Sequence, residues 1–415
     1  MTSSLFENYA RFCLVAMVVC LSISTAGANI ALASFILFAL LSQKLFKNFS
    51  QIMQSRIVQT ALVIFIYLTL SVMWSEADAT VAWQWVSKYK KLLLIPLALP
   101  FFCEFEHKLF FLKGLFVSLL MGLSVSYLNF FGLLNVGDCP TAGCSTHSYI
   151  TLSMLNCLLL VIACVFFIQI KTLRTKLFLL TVATAAAVNI ALILPSRTGQ
   201  LMLVVLIVYL SIAFWKVSKF GGHSKKQLFL LCFLALGGLL FSSVFLSQNS
   251  RLGDSLQKVS MHKQESFTST DSAASVDVRF EFYRKTLGLI SEKPLLGWGA
   301  GGHEPELKRL SEQGVTANER FIFANPHNEY LTWAVQTGLL GLACFLFWLF
   351  TVWRHAFKIE DPAHKLIMLG WLLIFTLGNF LNSFLLDFSE GYMTVLLIAV
   401  LMPFQSQRPC SSEEK

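Results

Sequence analysis

The feature that most constrains this chain is a series of apolar runs, each about as long as a membrane-spanning helix. A spanning α-helix needs roughly 20 apolar residues, and runs of about that size follow one another through most of the sequence. Hydrophobic residues make up 56% of the 415 residues and charged residues only 13%. This composition is too apolar for a soluble domain of this length, so the sequence predicts an all-α, polytopic membrane protein.

The apolar runs predict about twelve transmembrane helices. Ten or eleven remain possible, because only Ala26-Gly27-Ala28 separates the first two runs and the fourth run is short. Ala26-Gly27-Ala28 also resembles a signal-peptidase site, but a second apolar run starts at once, which favours an uncleaved pair. The predicted spans are Ala10 to Ser24, Thr25 to Leu41, Val58 to Trp74, Tyr89 to Cys103, Leu109 to Leu134, Ser148 to Ile168, Leu177 to Leu194, Gly199 to Trp215, Leu228 to Leu246, Asn328 to Val352, Leu366 to Leu386 and Phe388 to Phe404.

One long polar interval divides the chain into three parts. Residues 1–247 hold the first nine predicted spans, residues 248–327 form a large loop, and residues 328–415 hold three spans and a tail. Most other gaps between apolar runs are much shorter than this loop. Because a loop of this length in a compact protein is usually functional, we expect the chemistry near its two ends.

The distribution of Lys and Arg predicts the orientation in the membrane. Cytoplasmic loops carry an excess of basic residues, and every second connection is basic, as in Lys44 with Lys47 and Lys225 with Lys226. This pattern places both termini in the cytoplasm and the long loop outside. The net charge of +9 is explained by this bias, so no nucleic-acid partner is needed to account for it.

Two cysteines lie in a short polar turn that this topology places outside. Cys139 and Cys144 are five residues apart in the sequence, and an oxidising compartment would permit a disulfide between them. Two free thiols are the alternative. The spacing of these cysteines and the residues near them indicate no metal site.

A second external turn carries a single basic residue. It reads Ser196-Arg197-Thr198-Gly199, directly before the eighth predicted span. An arginine near the end of a span is usually an interface anchor. Here the guanidinium stands beside hydroxyls and backbone amides, a combination suited to phosphate oxygens. We therefore predict that Arg197 and Ser196 bind an anionic substrate.

The long loop contains two predicted helices with a glycine-rich turn between them. The first runs from Asp277 to Ile290 and carries Arg279 in its first turn. The turn Pro294 to Gly302 has no Gly-Lys-Ser or Gly-Lys-Thr ending, so it is not a Walker loop. The second helix is Glu304 to Gln313.

The loop ends on Asn325-Pro326-His327-Asn328. Asn325 fits an N-cap and Pro326 the first helical position, which predicts that His327 lies in the first turn of the tenth span. The positive end of that helix would keep the imidazole neutral near pH 7, and a neutral His can act as a general base. The alternative is an interfacial His with no catalytic role.

A carboxylate is expected on the same face as these residues. Asp387 lies between the last two predicted spans, and it either pairs with an arginine or is a solvated turn residue. No cluster of His, Cys and carboxylates with ligand spacing stands on the external face. The sequence therefore predicts a site that uses no metal.

The chain resembles the O-antigen ligase family of bacterial inner-membrane glycosyltransferases. The motifs that carry the resemblance are Ser196-Arg197-Thr198-Gly199, Val278-Arg279-Phe280 with Pro294-Leu295-Leu296-Gly297-Trp298-Gly299, and Pro326-His327-Asn328-Glu329-Tyr330-Leu331. Each motif is short, but their order, their spacing and their common side make the combination specific. The overall plan of about twelve spans with one large periplasmic loop late in the chain is also similar.

The resemblance implies a function and a set of site residues. It implies transfer of an O-antigen glycan from undecaprenyl diphosphate to the outer core sugar of lipid A-core, at the periplasmic face of the inner membrane, with no metal, nucleotide or other cofactor. It implies that Arg197, Arg279 and His327 are catalytic. We expect Arg197, Arg279, Asp387, Asn328 and Ser196 to contact substrate.

Two other functions are consistent with parts of the sequence. The same superfamily contains O-antigen polymerases and other polyprenyl-diphosphate-dependent glycan transferases, and the motifs do not separate these from a ligase. A transporter would place ionisable residues near the middle of the bilayer and show broken helices in repeated halves. Few charges lie inside the predicted spans, so a transporter is the less favoured alternative.

Overall fold

The computed structural model describes residues 2–136, 147–221, 274–312 and 322–404. Every regular element in these ranges is a helix, which confirms the all-α prediction. The predicted span from Leu228 to Leu246, the pair Cys139 and Cys144, and the loop residues 248–273 lie outside the described ranges.

Sixteen α-helices are described, and they are labelled here in chain order. They are α1 (Thr2–Leu21), α2 (Thr25–Leu41), α3 (Lys44–Lys47), α4 (Phe49–Gln54), α5 (Arg56–Leu70), α6 (Ala79–Tyr89), α7 (Leu94–Ala98), α8 (Phe105–Phe130), α9 (Tyr149–Gln169), α10 (Leu173–Val188), α11 (Arg197–Gly221), α12 (Ala274–Glu292), α13 (His303–Glu312), α14 (Glu329–Ala356), α15 (Pro362–Gly378) and α16 (Phe388–Leu401).

The described helices identify a multi-pass membrane protein. Seven of them are long and apolar enough to cross a bilayer, and α2, α15 and α16 are shorter apolar helices. Large side chains such as Leu37, Ile66 and Phe347 remain exposed on these helices. In water such a surface would be unfavourable, whereas in a bilayer these side chains face lipid.

Helix α9 forms the centre of the helix bundle. In its most apolar stretch, 78% of the residues are buried within the protein, whereas the share is 33% to 56% in the other long apolar helices. It packs against α10, α11 and α15. The site described below lies at the end of the bundle where α9 begins.

A buried polar network joins three of these helices. Asn156 of α9 donates to Asn189 (2.8 Å), and Asn189 donates to Ser126 of α8 (2.9 Å). Asn189 begins a π-helical turn, Asn189–Ile193, that ends α10. Interhelical hydrogen bonds of this kind hold membrane helices together, and this one fixes the chain just before Arg197.

Three predicted spans differ from the structure: Tyr89 to Cys103, Leu366 to Leu386, and Asn328 to Val352, which is bent at Gly338. Tyr89 to Cys103 is not one helix but a series of short pieces that includes α7, because Pro96 and Pro100 have no backbone N–H to donate. The eleventh span ends at Gly378 rather than Leu386. The side chain of Asn379 accepts the Phe384 N–H (3.0 Å) and turns the chain there.

Helix α14 is sharply bent at Gly338, where φ is 67° and ψ is −174°. The Trp333 and Phe345 ring centroids are 5.3 Å apart, and those of Tyr330 and Phe345 are 5.8 Å apart. In a straight helix these pairs would be separated by about 18 and 22 Å along the axis. The first arm of α14, residues 329–337, therefore folds back against the second, and the predicted continuous span from Asn328 to Val352 is wrong.

The glycine-rich turn of the loop satisfies the backbone groups that the bend exposes. The Trp298 N–H donates to the Val335 carbonyl (2.9 Å) and the Gly299 N–H to the Gln336 carbonyl (2.8 Å). In return, the Leu339 N–H donates to the Pro294 carbonyl (2.8 Å). Unsatisfied backbone groups are costly inside a membrane protein. The turn and the bend therefore stabilise each other.

We expect Gly338→Ala to unfold this junction. The backbone of Gly338 lies in a region that is essentially restricted to glycine, and an added methyl group would collide with the carbonyl of Leu295. The free energy of unfolding should fall by about 3 kcal/mol or more, measured by thermal and denaturant unfolding of purified protein in detergent.

Gly288→Ala is the matched control. Gly288 lies on α12 with no neighbouring atom within 4 Å of an added methyl group, so alanine should leave the stability unchanged or raise it by about 1 kcal/mol. Equal stability of the two variants would show that the bend does not depend on glycine.

Candidate active site

Four helices begin close together at one end of the bundle. The His147 ring, just before α9, lies 3.5 Å from the Ser389 hydroxyl at the start of α16. The Leu386 N–H, just before α16, donates to the Glu329 carboxylate at the start of α14 (3.3 Å). Gly199, near the start of α11, packs against Ser153 of α9. The N-terminal ends of α9, α11, α14 and α16 are thus neighbours.

His327 precedes α14 rather than lying in its first turn, so the predicted cap was wrong. The N-cap is Asn328, whose side chain accepts the Leu331 N–H (3.1 Å). Asn325 instead accepts the His327 N–H (2.9 Å) in an Asx turn. This turn holds His327 in a left-handed conformation, with φ of 54°.

The turn between α15 and α16 holds the start of α14 in place. The Ser383 hydroxyl donates to the Asn325 side-chain oxygen (2.8 Å). The Asn328 amide donates to the Phe380 carbonyl (3.1 Å), and the Glu329 N–H donates to the Asn379 carbonyl (2.9 Å). These contacts join segments about fifty residues apart, so the position of His327 is determined by tertiary structure.

The same turn contacts the imidazole ring. Nδ1 of His327 lies 3.2 Å from Oδ1 of Asn382, and Nδ2 of Asn382 donates to Oδ2 of Asp387 (3.0 Å). Asn382 is 7% exposed. An ordered chain of side chains therefore runs from the ring through a buried amide to a carboxylate.

Helix α12 of the long loop covers the site from the other side. The Tyr283 hydroxyl donates to the Phe380 carbonyl (2.8 Å) and lies 3.4 Å from the His327 carbonyl. The Phe282 ring is stacked 6.3 Å from the His327 ring. Arg279 lies one turn before Tyr283, and its charge acts on both Tyr283 and His327. The predicted loop helix thus brings Arg279 to His327.

The environment lowers the pKa of His327 below its ordinary value. Partial desolvation of the ring is the largest cause, the positive charge of Arg279 acts in the same direction, and the hydrogen bond to Asn382 opposes them. The sequence predicted this direction, but from the effect of a helix N-terminus. His327 lies outside the helix, so desolvation and Arg279 are the causes.

Asp387 lies near the buried cation Lys91. The Lys91 ammonium is 4% exposed and donates to the backbone carbonyls of Leu386 (3.2 Å) and Asp387. Burial raises the pKa of the Asp387 carboxyl to about 6, against the opposing effects of Lys91, Asn382 and Lys88. The raised pKa means that Asp387 takes up a proton at a higher pH than an ordinary aspartate does, so mildly acidic pH would change the charge of the site.

Arg197 is the first residue of α11, at the same end of the bundle. It is half-buried, while Ser196 is 1% exposed and its hydroxyl accepts the Gly199 N–H (3.0 Å). Ser196 and Asn328 thus both act as helix caps, which orient Arg197 and His327. His327 is joined to Asp387 through Asn382 and lies within the influence of the Arg279 charge. Arg197 lies at the same end of the bundle, where the start of α11 packs against α9.

Two contributors were missed by the sequence analysis. Asn382 and Lys91 were both read as parts of apolar or interfacial segments, although each is buried at the site. A polar amide near the end of an otherwise apolar run is a usable signal, because buried polar groups need partners. Asn382 meets that description in Gly378-Asn379-Phe380-Leu381-Asn382-Ser383.

Comparison with known families gives a match over the segment that carries several of these residues. Residues 182–346 match the family model described as O-antigen ligase. This part of the chain belongs to the O-antigen ligase family. The O-antigen ligase segment includes Arg197, Arg279 and His327, whereas Asn382 and Asp387 follow it. No curated protein matches the chain.

The family match supports an enzyme, since family members are O-antigen ligases or related glycan transferases. Within residues 2–136, 147–221, 274–312 and 322–404, no group of three or more His, Cys, Asp or Glu side chains is placed to hold a metal ion.

Asn325→Ala should loosen the segment that carries His327. The substitution leaves the His327 N–H and the Ser383 hydroxyl without their acceptor, which should cost about 1 to 3 kcal/mol of stability. Thermal unfolding in detergent provides the measurement. Asn325→Asp is the control, because its carboxylate oxygens can accept both bonds. Equal destabilisation by Ala and Asp would contradict the importance of this acceptor.

Proposed function

We propose that this protein is an O-antigen ligase of the bacterial inner membrane. It transfers an O-antigen glycan from undecaprenyl diphosphate to the outer core sugar of lipid A-core at the periplasmic face. The observation that carries the proposal is the packing of α12, which carries Arg279, against His327 before α14, within the segment that matches the O-antigen ligase family.

His327 is the general base in this mechanism. Its lowered pKa keeps the ring neutral near pH 7, and a neutral imidazole can accept the proton of the attacking acceptor hydroxyl. An exposed position before α14 leaves the ring accessible to a sugar. The reaction is an inverting displacement, in which the acceptor oxygen attacks the anomeric carbon from the side opposite the diphosphate.

Arg197 and Arg279 bind the diphosphate leaving group. Guanidinium groups form bidentate hydrogen bonds to phosphate oxygens, and fixed donors that stabilise developing negative charge lower the barrier. Arg197 is the first residue of α11, and Arg279 lies on α12, which packs against the residues before α14. A diphosphate attached to a polyprenyl chain in the bilayer would be presented at this level, so the mechanism needs neither a metal nor a nucleotide.

The basic residues near the site fit an anionic, lipid-linked donor. Lys88 lies on α6, where its ammonium is 4.5 Å from the Trp85 ring centroid, and it acts on the charge of Asp387. Together with Arg279 it gives the site a positive border. Such a border attracts phosphate groups at the membrane surface.

The function is tested with the lipopolysaccharide of a deletion strain. A ligase deletion should leave free lipid A-core on a gel and accumulate the lipid-linked polymer, and expression of the wild-type chain should restore long O-antigen ladders. Lipid A-core capped with a single repeat would instead identify an O-antigen polymerase. An unchanged gel would overturn both functions.

Arginine substitutions test the role of the guanidinium fork. Arg279→Lys should fail nearly as badly as Arg279→Ala, because an ammonium keeps the charge but loses the bidentate geometry. We expect both to lower the initial rate about 100-fold or more with purified protein and lipid-linked donor. Arg284→Ala is the matched control, since Arg284 on the same helix is exposed and paired with Glu281 (2.6 Å). It should retain activity.

His327→Ala separates catalysis from donor binding. It should abolish transfer while donor affinity stays close to that of the wild type, because a base acts mainly in the transition state. The wild-type rate should fall as the pH drops through the lowered pKa of His327, below its usual value of about 6.5. A variant that binds donor weakly but turns over bound donor at the normal rate would make His327 a diphosphate ligand instead.

A further inference from the structure

We propose that Asn382 is a positioning residue that links His327 to Asp387 and holds the imidazole with its proton on Nδ1, so that Nε2 is the atom that accepts the acceptor proton. This inference rests on the proposed role of His327 as the base. It assigns a function to a buried amide that lies outside the segment matched to the family.

The hydrogen-bond chain permits only one arrangement while Asp387 is ionised. A carboxylate only accepts hydrogen bonds, so the Asn382 amide must present its NH₂ group to Asp387 (3.0 Å). The amide oxygen then faces His327 at 3.2 Å. Because that oxygen can only accept, Nδ1 must carry the proton, and Nε2 keeps its lone pair.

Contacts other than the hydrogen bond to Asn382 also hold the imidazole ring in place. The His327 backbone is held by the Asn325 side chain (2.9 Å), and the Phe282 ring stacks beside the imidazole. Asn382 itself is nearly fully buried, so the amide has little freedom to rotate. The orientation of Nε2 is therefore determined before substrate binds, as a catalytic base requires.

The groups around the hydrogen-bonded series His327, Asn382 and Asp387 have opposing effects on the stability of the imidazolium ion. Arg279 from α12 disfavours it, and Tyr283 from the same helix is close to the His327 backbone. The hydrogen bond to Asn382 favours it, and Asn382, Lys91 and Lys88 favour the ionised form of Asp387 at the other end of the series. Glu329, at the start of α14, accepts hydrogen bonds from the Tyr89 hydroxyl (2.8 Å) and the Trp333 indole N–H (3.0 Å).

During the displacement, the proton of the acceptor hydroxyl moves to His327. The acceptor O–H bond breaks as the oxygen forms a bond to the anomeric carbon, and the bond from that carbon to the diphosphate oxygen breaks. The electron pair leaves with the diphosphate, and the proton goes to Nε2 of His327. Asn382 then bonds the imidazolium through its oxygen, and the negative charge of Asp387 stabilises the positive ring.

Two substitutions at Asn382 should move the pH dependence in opposite directions. Asn382→Leu removes the acceptor and the link to Asp387, so the acidic limb of the rate profile should shift to lower pH and the plateau should fall about tenfold. Asn382→Asp keeps an acceptor and brings a carboxylate to the ring. Its acidic limb should shift to higher pH by about one unit, with most of the plateau rate retained.

Asn379→Ala is the control for the folding of the turn. Asn379 accepts the Phe384 N–H in the same turn but does not contact His327, so it should lower thermal stability without moving the limb. If the acidic limb of the rate profile lies at the same pH in the wild type, Asn382→Leu and Asn382→Asp, the inference is overturned, while the ligase function is unaffected.

A second measurement is independent of activity. Nitrogen NMR of protein labelled with ¹⁵N-histidine in nanodiscs, with the His327 signals identified by their loss in His327→Gln, should show a protonated Nδ1 and an unprotonated Nε2 at neutral pH. Asn382→Leu should produce a mixture of tautomers. A wild-type ring protonated on Nε2 would overturn the inference. If the protein shows the expected tautomer but transfers no glycan, the proposed function is overturned and the tautomer assignment stands.

Discussion

The bend of α14 at Gly338 is the constraint on which the site depends. A break in a membrane helix exposes backbone donors and acceptors that lipid cannot satisfy, and here the glycine-rich turn from Pro294 to Gly302 pairs with them. The loop and the helix are thereby stabilised as one unit. Because the first arm of α14 folds back onto the second, the residues before it are directed against the turn between α15 and α16.

In the proposed mechanism, the positive charge of Arg279 and the neutral state of His327 support each other. The proposed base must be neutral near pH 7 and the proposed diphosphate site needs fixed positive charge, and the charge of Arg279 acts on His327. The positive charge that would bind the donor also disfavours protonation of the base. Asp387 is connected to the ring through Asn382, so a carboxyl group lies one amide away from the imidazole.

Parts of this site were predictable from sequence because they depend on local patterns. The apolar spacing of the loop predicted a helix over Asp277 to Ile290, and the structure has one over Ala274–Glu292. His327 was identified because it stands at a junction between a polar and an apolar segment, and Arg279 because its motif resembles that of the O-antigen ligase family. The cap was misassigned since Asn325 and Asn328 are both good N-cap residues, and the contact of Asn325 with Ser383 decides between them.

What the sequence by itself determined is the class of the protein, because a bilayer forces the backbone into helices of a certain length and apolar character. Hydropathy records that requirement residue by residue. What only the tertiary structure decided is the bend at Gly338 and the contact between His327 and Asn382, which are 55 residues apart in the chain. A glycine or an asparagine in an apolar run has no pattern that names its partner, since the partner is determined by how distant segments pack.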